Sequence, residues 1–408
     1  MNAGFNDLIA MAKRISAILL RTATAAIGLL MGLVVMEGAF QYLESLDNAK
    51  RGREGACEPL FDDRWGWKLT PGNCLVRDPE FTASISTNSL WMNDEPYRPE
   101  ADESKTRILA LGDSHTQAVG VNTMETWPKY LQRDLNARFG EGRFRVYNAG
   151  TAAYNVHQYL LRLIDQGPVV QPDYVVVEFG YASDLYDLLS PEHGGWAFFP
   201  TLPRTYFDFD ANGTLVEKHW APPAKGAEAS PAPADRALAV RALLGRFATF
   251  RYLRRNNLAL AIGSRVRLGG QSLWPSMEVV LQKNISPEYK YNWDLAEAVL
   301  ERMDIEAKRL GAQLVVLGIP YLPQVYDEVW NSTFGSNPNY SRDAGPNRLR
   351  HWLESKEIPY LDTTEQLRER VKKVGHWVHY HKDAHPTAEG HEVMADVLAK
   401  SGLFMPRR

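Results

Sequence analysis

The sequence predicts an α/β domain with a parallel sheet covered by helices on both faces. Short apolar, β-branched runs alternate with segments of helical periodicity from Arg107 to the last helix. Those runs are apolar throughout, as strands buried on both faces are. Three of them end in small or polar residues, the pattern of strand ends that open on a ligand crevice.

The first strand is "RILALG" (Arg107–Gly112), followed by a helix at "WPKYLQRDLNARF" (Trp127–Phe139). "FRVYNAG" (Phe144–Gly150) is a strand, and "HQYLLRLIDQG" a helix ending at Gly167. "DYVVVEFG" (Asp173–Gly180) is β-branched and bounded by Pro172 and Gly180, a buried strand. Alternation resumes with a helix at Trp293–Gly311, a strand at "AQLVVLGIP", a helix at "NRLRHWLESKE", a short strand at "IPYLD" and a closing helix at "TAEGHEVMADVLAKSG". Five strands result, and no internal repeat is visible.

Between these halves lies an insertion, residues 190–291, rich in proline and glycine, with linker composition at Ala221–Ala237. It reads as a cover for the site. Its stretch from Arg236 to Arg267 is rich in arginine and has no acidic residue, which suits anionic lipid or an acidic polymer; a solvated helix face is the alternative.

The N-terminus has a different character. Ile15 to Met36 is apolar except for Arg21, long enough for a hydrocarbon core of about 20 residues. Lys13 and Arg14 precede it, and Glu37 and Glu44 follow. By the positive-inside rule, residues 1–14 form a cytoplasmic tail, 15–40 a single-pass inner-membrane anchor, and the rest is periplasmic. A cleaved signal peptide is the alternative, for which "VVMEGAF" is a poor cleavage site. Residues 41–104 are polar and proline-bearing and read as a stalk or irregular cap before the domain at 105–408. Cys57 and Cys74 fall on the exported side, where one disulfide closing a short loop is expected, two free thiols being the alternative.

Composition narrows the function. A formal net charge of −3 over 408 residues gives no basic field for nucleic acid. Eleven Trp and eighteen Tyr suit sugar surfaces, interfaces or a core. The chemistry gathers at strand ends: Asp113-Ser114-His115 after the first, Asn148-Ala149-Gly150 after the second, Ser183-Asp184 after the third. With strand order 2-1-3 they converge on Ser114. "KDAHPTAEGH" adds Asp383 and His385. A serine nucleophile needs a base, an acid to orient that base, and donors for the oxyanion. With Ser114 as nucleophile, His385 supplies the base and Asp383 the acid that orients it; the N–H groups of Ser114 and Gly150 and a side chain near Ser183 supply the donors. No G-x-S-x-G elbow surrounds Ser114, against an α/β-hydrolase proper. His115 is given no role, because neighbours on an extended chain point apart. His376, His379 and His381 match no zinc spacing and read as rim histidines, so neither metal nor cofactor is expected.

"GDSHT", "NAG" and "DAHPTAEGH", in order, resemble the blocks of the SGNH/GDSL hydrolase superfamily over roughly Asn88 to the C-terminus, excluding the insertion. "TNSL" and "RILALGDSHTQAVGVNTMETWPKYL" are similar to its membrane-anchored bacterial branch. The resemblance implies a flavodoxin-like three-layer αβα sandwich of strand order 2-1-3-4-5. It also implies Ser114 as nucleophile, His385 as base, Asp383 as its partner and Gly150 in the oxyanion hole. Two departures stand out. Ser183 occupies the place of the family's oxyanion Asn, and Asp383-x-His385 replaces Asp-x-x-His, a spacing similar to that of alginate acetylation proteins. The expected function is a serine esterase acting on acyl, chiefly acetyl, esters of an envelope polysaccharide. The alternatives are an O-acetyltransferase with the same triad, which calls for a membrane-embedded acyl-donor partner, and a non-catalytic polysaccharide-binding scaffold.

Overall fold

A computed structural model describes residues 21–22, 24, 28–29, 31–186, 188, 202–221, 246–249, 267–268, 271–272, 278–335 and 337–407. Five strands form one sheet: β1 (Thr106–Leu111), β2 (Phe144–Asn148), β3 (Tyr174–Gly180), β4 (Gln313–Ile319) and β5 (Tyr360–Asp362). All pairs are parallel and the spatial order is β2-β1-β3-β4-β5, the expected 2-1-3-4-5. The order of the sheet reverses at β1, so the end of β1 lies between the ends of β2 and β3.

Alternate side chains divide between two cores, as the pleat requires. On one face Leu109, Leu111, Val175, Val177, Leu314 and Val316 meet α2 (Val156–Val170), α3 (Pro287–Arg309) and α4 (Ala344–Ser355). On the other, Ile108, Ala110, Val146, Val176, Val315 and Leu317 meet α1 (Trp127–Phe139) and α6 (Ala388–Lys400). A smaller cluster packs Leu367 of α5 (Thr364–Val374) under Leu322, Tyr326 and Val378. Helix α2 runs three residues past the expected stop at Gly167, carrying Pro168 in its last turn, and ends at Gln171 in the left-handed region. A proline there forfeits one hydrogen bond near a terminus, a small loss beside the apolar area the helix buries.

Region 41–104 is not a stalk. Gly52–Gly55, Gly72–Arg77 and Thr82–Thr87 form an antiparallel sheet, Leu60–Asp62 and Gly66–Lys68 a hairpin, and a disulfide joins Cys57 to Cys74. Its few apolar residues are single large ones, Trp65, Trp67 and Met92, that fill places in the main core and build no core of their own. This is why the composition looked like a spacer. The segment is also tied on by charge. Buried Asp94 accepts from Lys129 of α1, from Arg145 of β2 at 3.0 Å and from the backbone N–H of Asn148 at 3.0 Å.

Within the 190–291 insertion, Arg204–Phe209 and Leu215–Trp220 pair as a hairpin, with the Arg204 guanidinium 5.0 Å from the centre of the Trp67 ring. Helix α3 begins at Pro287, inside that span, six residues before the expected Trp293. Nearly all of the arginine-rich stretch lies outside the described residues. The expected anchor, 15–40, lies in part outside them too, and among the described residues no helix is long and apolar enough to cross a membrane.

Asp94→Ala takes the buried carboxylate from Lys129 and Arg145 and leaves them Glu95 and Asp102, so it is expected to cost about 3 kcal/mol, the low end for a broken buried pair, read as a lower urea midpoint.

Candidate active site

Ser114 begins a single helical turn, Ser114–Gln117, directly after β1. Gly112 makes that turn possible: a Cβ there would lie 2.1 Å from Thr116 Oγ1 and 2.4 Å from Glu178 Oε2. Asp113 caps the turn, its Oδ1 accepting from the His115 N–H at 2.8 Å. Ala118 closes it at φ 64°, and Asn93 donates to the Gln117 carbonyl at 2.7 Å.

The base comes from the far end of the chain. His385 Nδ1 is hydrogen-bonded to Asp383 Oδ1, which leaves Nε2 as the basic nitrogen once Nδ1 carries the proton. Sequence reasoning missed what holds this pair. The Glu80 carboxylate accepts three consecutive backbone N–H groups, from His381 at 2.9 Å, Lys382 at 2.8 Å and Asp383 at 2.9 Å. Tyr380 spans to the nucleophile's side, its hydroxyl donating to the Gly120 carbonyl at 2.8 Å. Gly120 sits at φ 98°, and a Cβ there would press 2.6 Å from the Tyr380 ring. No local sequence pattern marks Glu80, whose role exists only across some 300 residues of chain.

His115 was expected to point away from the site. The chain is helical there, not extended, and the His115 ring centre lies 5.4 Å from that of His385. Its Nδ1 is 2.9 Å from Asp113 Oδ1 and 3.7 Å from Glu178 Oε1. Ser114 and His385 share no hydrogen bond, and the His385 ring is held from its Asp383 side.

The oxyanion donors are unequal. The Ser114 N–H donates to no protein group among the described residues. Gly150 is packed so closely that a Cβ would lie 2.1 Å from Gln117 N, and its N–H is already given to Asn148 Oδ1 at 3.1 Å. The Ser183 hydroxyl is buried and turned inward against Gly180, on the Asp113 side, where it helps to lower that carboxyl.

Three carboxyl groups are buried beneath Ser114: Asp113, Glu178 and Asp184. Asp184 accepts from the Gly180 N–H at 2.8 Å, and Glu178 Oε2 from the Asp113 N–H at 3.0 Å and Thr116 Oγ1 at 2.9 Å. Burial alone would raise Asp113, but the charge and hydrogen bonds of His115 hold it well below the usual carboxylate range. Burial lowers His115, and the Asp113 charge and hydrogen bond, with Asp383, more than reverse this and raise it. Glu178 is driven well above its ordinary value by burial and then by the Asp113 and Asp184 charges. Glu178 therefore keeps its proton while Asp113 is ionised against His115. Asp383 is lowered: burial opposes, and His385 prevails through its hydrogen bond and charge.

Of the "HWVHYH" histidines, His379 is no rim residue. It is buried against the Tyr326 hydroxyl at 2.8 Å and pushed down to about 3 by burial and then by the charges of His115 and His385. His376 pairs with Glu389 at 2.9 Å, and His381 stacks on Trp377. Among the described residues, Asp113, His115 and Glu178 alone bring three ligand atoms within 4.8 Å of one another. The Asp113–His115 hydrogen bond already uses donor atoms of that set.

Part of the chain is similar to one known family. Residues 110–193 match the GDSL-like Lipase/Acylhydrolase family, a span holding Ser114, Gly150 and Ser183 but not the Asp383–His385 turn. Among solved structures, TesA is 14% identical, covering 73% of this chain and 99% of that chain at a TM-score of 0.36. A catalytic mutant of Axe2, an acetylxylan esterase from Geobacillus stearothermophilus, is 14% identical over 75% of this chain and 98% of that one, at 0.39. The psychrotrophic esterase EstA from Pseudoalteromonas sp. is 12% identical over 73% and 96%, at 0.34. No curated protein matches the chain.

Two substitutions test the site. Glu80→Ala frees the Asp383–His385 turn and is expected to lower kcat about 10²-fold, in steady-state ester hydrolysis, for a displacement of around 1 Å. Glu178→Gln bears on pH. The native Glu178 holds its proton more tightly than the unfolded chain, whose value is near 4.5. Wild-type stability from this group is therefore lost as pH rises from 4.5 through the raised native value. The variant lacks that loss, so its urea midpoint gains on the wild type progressively with rising pH.

Proposed function

We propose that the chain is a serine hydrolase of the SGNH/GDSL kind, an exported, membrane-anchored esterase acting on acetyl esters of an envelope polysaccharide, a reading supported by the GDSL-like match over residues 110–193. The carrying observation is the Asp383–His385 pair beside the turn that begins with Ser114, with the two histidine rings 5.4 Å apart. Ser114 Oγ attacks the ester carbonyl as its proton passes to His385 Nε2. The Ser114 N–H faces the developing oxyanion, and Asp383 stabilises the imidazolium that forms. His385 then protonates the departing alcohol, and water, or a sugar hydroxyl in the transferase variant of this reading, resolves the acyl-enzyme.

Anchoring at the inner membrane with a periplasmic domain is supported by the apolar run Ile15–Met36 and by the Cys57–Cys74 bridge, which suits an oxidising compartment. Leu29, Met31, Leu33, Val34 and Val35 are exposed apolar residues of that run. The acetyl and polysaccharide assignments rest on the Asp383-x-His385 spacing, and transfer would draw on a membrane-embedded acyl donor. The engaged Gly150 N–H and inward Ser183 favour a weak oxyanion hole, which keeps a polysaccharide-binding scaffold as the second reading.

A fluorophosphonate probe is expected to label the full chain in detergent. Labelling should vanish in Ser114→Ala and His385→Ala, and Asp383→Asn should lose roughly 10⁴-fold in kcat on an acetyl ester. Folded wild-type protein that takes no label would favour the scaffold. Acetyl transfer to an oligosaccharide faster than hydrolysis would favour the transferase.

A further inference from the structure

Two Asp–His pairs meet at Ser114. Asp383–His385 is the expected one. The other, Asp113–His115, is built from the residues on either side of the nucleophile, with Nδ1 2.9 Å from Oδ1. Among the described residues, neither ring uses Nε2 in a hydrogen bond. The ring centres are 5.4 Å apart and the planes inclined by 55°. The two dyads differ in their surroundings. The Asp113 side chain is 4% exposed and the Asp383 side chain 27%.

We propose that Asp113–His115 is a second acid–base dyad of this site, holding the resting positive charge so that His385 stays free to accept the Ser114 proton. This rests on the reading of Ser114 as nucleophile. His115 acts through His385 and is a positioning residue for its charge. Two imidazolium rings at this separation repel, so at rest one of them carries the proton. The carboxylate more withdrawn from water binds its imidazolium more firmly, which puts the charge on His115. Groups whose surroundings favour opposite protonation states are how a site divides acid and base roles.

The groups around His115 agree with this assignment. Asp113 faces it from its own turn, Glu178 from β3, and Asp383 and His385 from the C-terminal turn. Glu178 is protonated and adds no charge. His379 and His391 of α6 are buried and held neutral, burial first and the His115 and His385 charges after it. When Ser114 Oγ attacks, its proton moves to His385 Nε2 and one negative charge appears on the former carbonyl oxygen. Both rings are then cationic only while that oxyanion is present, so His115 contributes more to the transition state than to the resting enzyme.

The test is the pH dependence of fluorophosphonate labelling of full-length protein in detergent. His115→Asn keeps a side-chain N–H for Asp113 and removes the charge. Its acid limb is expected to move up by about one pH unit, a roughly tenfold slower labelling below the limb, with labelling retained at higher pH. His115→Gln should behave alike. An acid limb unmoved in labelled His115→Asn protein would overturn the second dyad and leave the nucleophile intact. Wild-type protein unlabelled at every pH would overturn both.

Discussion

Several segments at the carboxyl edge of the sheet are held by carboxyl groups that accept from backbone N–H groups, and Asp94, Asp113, Glu178 and Asp184 among them are buried. Asp113 accepts from His115, Glu178 from Asp113, Asp184 from Gly180, Asp94 from Asn148, and Glu80 from three successive residues of the His385 turn. Hydrogen bonds to a charged acceptor are about twice as strong as neutral ones, and in a low-dielectric setting they fix direction as well as distance. Strand ends have no ladder partner to fix them. Here the acids serve that purpose, and the triad inherits its geometry from them.

Concentrating acid in this way has an electrostatic consequence. Asp113, Glu178 and Asp184 lie close together under Ser114 with one imidazole against them. Three buried charges of one sign are not sustained, so Glu178 retains its proton while Asp113 spends its charge on His115. The scaffold that holds the nucleophile thus also sets the charge beside the base. Structural and catalytic roles are carried by the same few atoms.

The fold was legible because its signals are local. Apolar β-branched runs and helical periodicity marked the strands and helices, the family resemblance implied their order, and Ser114, Asp383 and His385 sit in recognisable blocks. What misled was also local. His115 was read as if its backbone were extended, whereas Asp113 caps a helical turn there. Region 41–104 was read by composition as a spacer, whereas Trp65 and Trp67 complete the main core and Glu80 and Asp94 hold the catalytic turn and β2. Gly150 and Ser183 were expected as oxyanion donors, and the structure spends the N–H of one on Asn148 and turns the hydroxyl of the other inward.

By itself the sequence determined the sheet, and it offered Ser114, Asp383 and His385 as candidates and a Cys57–Cys74 bridge as an expectation, because these follow from periodicity and from residue types in order along the chain. Only the tertiary structure decided which carboxylates are ionised, which donors remain for an oxyanion and which histidine faces His385. Proton affinity and hydrogen-bond availability depend on burial and on neighbours hundreds of residues away, such as Glu80 against Asp383, and no local pattern of residues encodes them.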